Sequence, residues 1–104
     1  MGNCTVTRHA NKRTRKRVGI PQKAVYRNAR SALERGLGYA EAKGGLKRYI
    51  GWLYSSYNGA ANNIRIYNNY VYIFRDDVLI TVLNLPPEHR AAATYQQRKV
   101  NHDG

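Results

Sequence analysis

From Asn63 to Leu83 the chain alternates so regularly that few folds can accommodate it. Asn63-Ile64-Arg65-Ile66-Tyr67 reads as a strand, Asn68-Asn69 as a two-residue turn, and Tyr70-Val71-Tyr72-Ile73-Phe74 as a second strand. Asp76-Asp77 reads as another turn before Val78-Leu79-Ile80-Thr81-Val82-Leu83, and Pro86-Pro87 closes the run. The pattern predicts an antiparallel meander with strands over 63–67, 70–74 and 78–85.

Register follows from the turns. If both have two residues, Ile66 faces Val71, Ile64 faces Ile73, and Ile80 and Val82 continue that side. This apolar face is expected to be covered by helices. The opposite face then carries Arg65, Tyr67, Tyr70, Tyr72, Phe74, Leu79, Thr81 and Leu83. On it, Arg65, Tyr72 and Thr81 fall in one row across three strands. A slip of one residue at the second turn moves Thr81 to the core side.

The first half reads as helical. Thr5 or Thr7 can cap a helix over 7–18, with Gly19 as its stop and Val6, Ala10 and Val18 as a thin apolar line. His9, Arg13 and Lys16 share one face of it, three and four residues apart. Pro21 opens a second helix over 21–35, ending at Gly36 or Gly38, with Val25, Ala29, Ala32 and Leu33 as its stripe. A third helix, 46–57, follows Gly44-Gly45 and carries Leu46, Tyr49, Ile50, Leu53 and Tyr57 at helical period. The predicted class is α+β: helices packed on the meander in one domain over 1–87, with 88–104 as a C-terminal tail, a short helix or disordered.

Charge is placed as unevenly as structure. Residues 1–48 hold 13 basic and 2 acidic side chains and residues 49–104 hold 5 and 4, so +11 of the net +12 lies in the front half. Arg8, Lys12, Arg13, Lys16 and Arg17, joined by Lys23, Arg27 and Arg30, are the expected nucleic-acid-binding residues, because a grouped cationic face suits a polyanion. A lone Cys4 excludes an internal disulfide and suits a reducing cytoplasm. No apolar run approaches the roughly 20 residues of a membrane span, and no secretory signal is visible. The start Met1-Gly2-Asn3-Cys4-Thr5-Val6 brushes against a lipidation pattern, but Val6 stands where Ser or Thr is required. The expectation is a cytoplasmic protein without a membrane partner.

Several chemistries lack their residues. Cys4 and His9 are isolated, no zinc-type pair spacing occurs, and His89 and His102 sit in a polar stretch, so no metal and no cofactor is expected. The glycines lack a preceding strand for a phosphate loop, and no serine sits in a strained elbow. RNA cleavage by its own 2′-hydroxyl needs only a base, an acid and a cationic clamp. His9 suits the base or acid, Arg65 the phosphoryl oxygens, Tyr72 orientation or protonation, and Thr81 a hydrogen bond to phosphate, with Arg13 adding charge. A scissile phosphate bridging them needs the His9 ring within about 8 Å of Arg65 and Thr81. The other reading of the same residues is a solvated sheet face, or a platform on which unpaired bases stack.

Arg8-His9-Ala10, followed by Arg13, Arg17 and Gly19-Ile20, resembles the first helix of small RelE-like toxins and colicin-D-like nucleases. Leu79-Ile80-Thr81-Val82 is similar to the last sheet strand of such proteins. The span from His9 to Pro87 also resembles uncharacterised phage and prophage proteins of Gram-positive bacteria, through Val18-Gly19-Ile20-Pro21, Ala32-Leu33-Glu34, Ile64-Arg65-Ile66-Tyr67 and the segment Leu79 to Pro86. The resemblance implies a RelE- or barnase-like fold with metal-independent ribonuclease activity, and functional positions at His9, Arg65 and Thr81. The first helix is more basic than a catalytic helix needs, which favours attachment to RNA or a ribonucleoprotein.

Two functions are therefore expected. One is a small toxin-like ribonuclease, with an acidic antitoxin or immunity partner covering its basic face. The other is a non-catalytic binder of nucleic acid or nucleoprotein, including a phage-encoded anti-defence inhibitor of a host nucleoprotein.

Overall fold

The computed structural model describes residues 5–6 and 22–103. In chain order the elements are β1 (Thr5–Val6), α1 (Gln22–Arg35), α2 (Gly44–Tyr57), β2 (Asn63–Tyr67), β3 (Tyr70–Arg75), β4 (Val78–Asn84) and α3 (Pro87–Asp103). The fold is α+β, as expected, with β2, β3 and β4 forming an antiparallel meander. The helix expected over 7–18 lies outside the described residues.

Turn chemistry sets the meander. Asn68 and Asn69 both adopt positive φ, 51° and 67°, as a tight two-residue hairpin with right-handed twist requires. Asn tolerates that region because its short polar side chain carries little steric penalty there. Asp76, at φ 56°, opens the second turn, and its backbone N–H donates to Asn62 Oδ1 at 2.6 Å. Asn62 Nδ2 returns a bond to Asp76 Oδ1 at 2.9 Å, tying the start of β2 to the β3–β4 turn.

Between β2 and β3 the expected register holds: Ile64 pairs Ile73, Arg65 pairs Tyr72 and Ile66 pairs Val71. Between β3 and β4 it holds only to Phe74–Leu79, where a bulge intervenes and Ile73 pairs Thr81. Tyr72 consequently pairs Val82. This corrects the expected row of Arg65, Tyr72 and Thr81, since an extra residue in one strand sends everything beyond it to the other face. The turn itself has two residues, because Arg75 pairs Val78. Leu79, Ile80, Val82 and Leu83 are all apolar, so either register buries hydrophobic side chains and alternation does not discriminate between them.

A second correction concerns β1. Thr5 was one of two expected helix caps, with Thr7, and Val6 was expected on the apolar line, yet Thr5 and Val6 join the sheet parallel to β4, opposite Val78 and Leu79. Two β-branched residues favour a strand, and the outer edge of β4 offers unpaired backbone groups. The sheet order is β1-β4-β3-β2. At the far edge, Leu37 exchanges two 2.9 Å backbone bonds with Ile66, shielding part of β2.

The third correction is that both faces of the sheet are covered. One core joins Ile64, Ile66, Val71 and Ile73 to Leu46, Ile50 and Leu53 of α2 and Ala93 of α3. The other joins Tyr72, Phe74, Leu79 and Val82 to Val25, Ala29 and Ala32 of α1. Two large aromatic side chains on the second face carry too much apolar area to be left in water. The small residues of α1 let that helix lie close enough to seal them.

The C-terminal segment is a helix of 17 residues rather than a tail or a short helix. Pro87 occupies its first turn, where a missing N–H costs nothing, and Glu88 complements its N-terminal dipole. Gln96 docks it to the main chain of Lys43, accepting from its N–H at 2.9 Å and donating to its carbonyl at 3.3 Å. Its pattern is weak in sequence because little of its surface is buried beyond Ala93.

Candidate nucleic-acid interface

The four residues expected to act together are dispersed. His9 lies outside the described residues, as do Arg8, Lys12, Arg13, Lys16 and Arg17. The expected 8 Å proximity of His9 to Arg65 and Thr81 therefore also falls outside them. Arg65 stands on β2 beside the end of α1. Its Nη1 donates to the Gly36 carbonyl at 3.1 Å and its Nε to Asn63 Oδ1 at 2.9 Å. A cation there meets the negative end of the helix dipole, so its planar fork locks α1 onto the sheet. Gly36 makes this approach possible: a Cβ there would collide with the Ala32 carbonyl oxygen and stand 2.9 Å from Arg65 Cβ.

Tyr72 is fully buried under α1. No described residue gives its hydroxyl a well-formed hydrogen bond, although Asn28 lies close enough to favour the ionised form slightly. Burial pushes its pKa well above the usual tyrosine value, with Tyr70 and Tyr67 adding to the shift. Thr81 is 3% exposed, on the opposite face, and its Oγ1 also has no partner among the described residues. Neither hydroxyl reaches a surface that a phosphate can approach.

What reaches solvent is different. On α1, Arg27 and Arg30 are exposed, and Lys23 lies one turn earlier on the same helix. Arg30 pairs with Glu34 at 3.6 Å, but Arg27 makes no ion pair with a described residue. Such an exposed pair contributes little stability.

On α2, rings and cations share the outward surface. Tyr49 and Trp52, three residues apart, stack with centroids 6.2 Å apart and planes 25° from parallel. The His89 ring of α3 also lies near Tyr49, centroids 4.9 Å apart and planes tilted by 32°. Burial raises the Tyr49 pKa, helped by the Glu88 carboxylate and then by Tyr57. Tyr39 packs edge-on to Tyr54 at 6.3 Å, and Lys47 Nζ sits 4.4 Å from its ring centre. Gly51 leaves room for that ring, since a Cβ would touch Tyr39 Cε1 at 3.3 Å. Arg48, one turn before Trp52, is exposed and makes no ion pair with a described residue.

No family model, no curated protein and no solved structure matches this chain. A groove of about 540 Å³ between the Asn68-Asn69 turn and α3 is lined by Asn68, Asn69, Thr94 and Arg98, among others. It offers hydrogen bonds and one cation, but no histidine or carboxylate lines it, so it lacks an acid–base pair. No helix among the described residues is long and apolar enough to cross a membrane.

From sequence, Tyr49 reads as core and His89 as part of a polar stretch, and no role falls to Tyr39, Lys47, Arg48 or Trp52. The signal was present. Trp52 does not belong to the apolar stripe of Leu46, Ile50 and Leu53, so a tryptophan was bound to face outward beside Arg48.

Proposed function

We propose that this is a small RNA-interacting protein that binds by cationic surface, with RNA or a ribonucleoprotein as its partner. The observation that carries the reading is the +11 charge of residues 1–48, which α1 continues outward through Arg27 and Arg30. Phosphate neutralisation of this kind supplies affinity without chemistry. Binding is favoured over cleavage because Tyr72 and Thr81 are buried on opposite faces, while Arg65 is engaged with Gly36 and Asn63. A RelE- or barnase-like kinship belongs to the same proposal and rests on the His9-Ala10 opening and the Leu79–Val82 strand. So do a cytoplasmic setting, an anti-defence role against a host nucleoprotein, and an acidic partner for the basic face.

The test is binding of the full chain to tRNA and to ribosomes at about 50 and 200 mM salt, with chelator present. Affinity is expected to fall steeply between the two, no RNA to be cut, and His9→Ala to leave binding intact. Equal affinity at both salts sinks the proposal. Cleavage abolished by His9→Ala establishes the ribonuclease reading in its place.

A further inference from the structure

We propose that the outward face of α2 is a stacking platform for unpaired nucleobases, built on Trp52 with Arg48 beside it, so that the chain prefers single-stranded to duplex nucleic acid. The inference rests on the RNA-binding reading and adds which form of nucleic acid is bound, and where.

Three observations carry it. Trp52 is 62% exposed, an unusual cost for the largest apolar side chain. Its ring stacks on Tyr49, centroids 6.2 Å apart, and the His89 ring lies 4.9 Å from the same Tyr49. Helix geometry then sets the charges beside it. Arg48 lies four residues before Trp52 on the same face, whereas Lys47 sits over the Tyr39 ring on the other flank of the helix.

An exposed aromatic face beside a cation matches a strand whose bases are free to turn outward and whose phosphates run alongside. Duplex hides its base faces, and an anionic peptide has no need of a planar ring. Glu88 is the carboxylate that acts on Tyr49, and Glu41 Oε1 accepts from the Gly38 N–H at 2.9 Å. Stacking reads the base and not the sugar, so RNA and DNA strands present the same chemistry, and the experiment separates them.

Trp52 is the chain's single tryptophan, so its emission reports this face alone. The full chain is titrated with a labelled, unstructured RNA of about 12 nucleotides, with DNA of the same sequence, and with the corresponding RNA duplex. Single strands are expected to quench Trp52 emission. By anisotropy of the labelled strand, Trp52→Ala is expected to weaken single-strand binding about 10-fold or more, with Trp52→Phe largely restoring it. Duplex affinity should be the same for the unmodified chain and Trp52→Ala. The salt slope of Trp52→Ala should be unchanged, while Arg48→Gln should lower it by roughly 0.7. Equal RNA and DNA affinity indicates base stacking alone, and an RNA preference adds a 2′-hydroxyl contact to the same platform. Salt-sensitive RNA binding with unaltered Trp52 emission and full affinity in Trp52→Ala overturns the platform and leaves the RNA-binding reading standing. Absence of any RNA binding overturns both.

Discussion

Beneath α1, Tyr72 and Phe74 are sealed against Val25, Ala29 and Ala32, whereas along α2 the rings of Trp52 and Tyr39 face water. The two aromatic groups are similar in chemistry and opposite in use. The first is fixed by β3, which points its side chains at a helix of small residues. The second lies on the outer side of a helix whose inner stripe already fills the core with Leu46, Ile50 and Leu53. Rings in the first group are needed to fill space. Rings in the second are surplus to packing, and so are available to bind.

The comparison breaks most readily at Phe74. Phe74→Ala should destabilise the chain by about 3–5 kcal/mol in denaturant unfolding, since it empties a fully buried ring site that α1 closes over. A loss below about 1 kcal/mol would mean that the α1 layer is not a packed core.

Arg65 tests whether a cation near the sheet serves structure or ligand. Arg65→Ala should cost about 1.5–3 kcal/mol of stability, because it removes a charged fork bonded to Gly36 and Asn63 at the end of α1. Arg65→Lys should recover little of this, lacking the second donor direction. Salt-dependent RNA binding of Arg65→Ala, measured well below its melting temperature, should be nearly unchanged. A strong loss of binding at full stability would return Arg65 to the phosphate-clamp role expected from sequence.

Much of this architecture is legible in the sequence, and the failures have identifiable causes. The helices of α1 and α2 and the first hairpin follow from periodicity and from Asn68-Asn69, where local chemistry decides. The bulge after Leu79 is invisible because β4 is apolar on both sides, so register there is a tertiary choice. Cover on the second face is missed because a lone row of Tyr72 and Phe74 reads equally as a stacking surface or as half of a core. Only the alanines of α1 distinguish the two. Of the expected site, Arg65 and Tyr72 are placed opposite each other as predicted, but Thr81 goes with the wrong face and Trp52 is passed over.

The buried hydroxyls offer a smaller effect of opposite sign. Tyr72→Phe and Thr81→Val each remove a polar atom that lacks a described partner, so each should stabilise the chain by up to about 1 kcal/mol. Tyr72 adds a pH signature. Its native pKa is raised, so its contribution is fully present below the unfolded tyrosine value, about 10. Above that pH the unfolded chain releases the proton while the native chain keeps it, and stability falls as pH rises. Tyr72→Phe should therefore flatten the alkaline limb of a stability–pH curve. An unchanged limb would show that the hydroxyl is solvated.

The smallest stability change is expected at Trp52, and it separates the two aromatic groups most cleanly. Trp52→Ala should shift unfolding free energy by no more than about 0.5 kcal/mol, because an exposed ring outside the core stripe loses little on unfolding. Phe74→Ala removes a ring from the same small domain at several times that cost. A large stability loss from Trp52→Ala would place the ring in the packing of Tyr49 and His89, and the surplus argued for α2 would disappear. A negligible loss, with affinity for single strands reduced, leaves recognition as the reason a tryptophan stands in water beside Arg48.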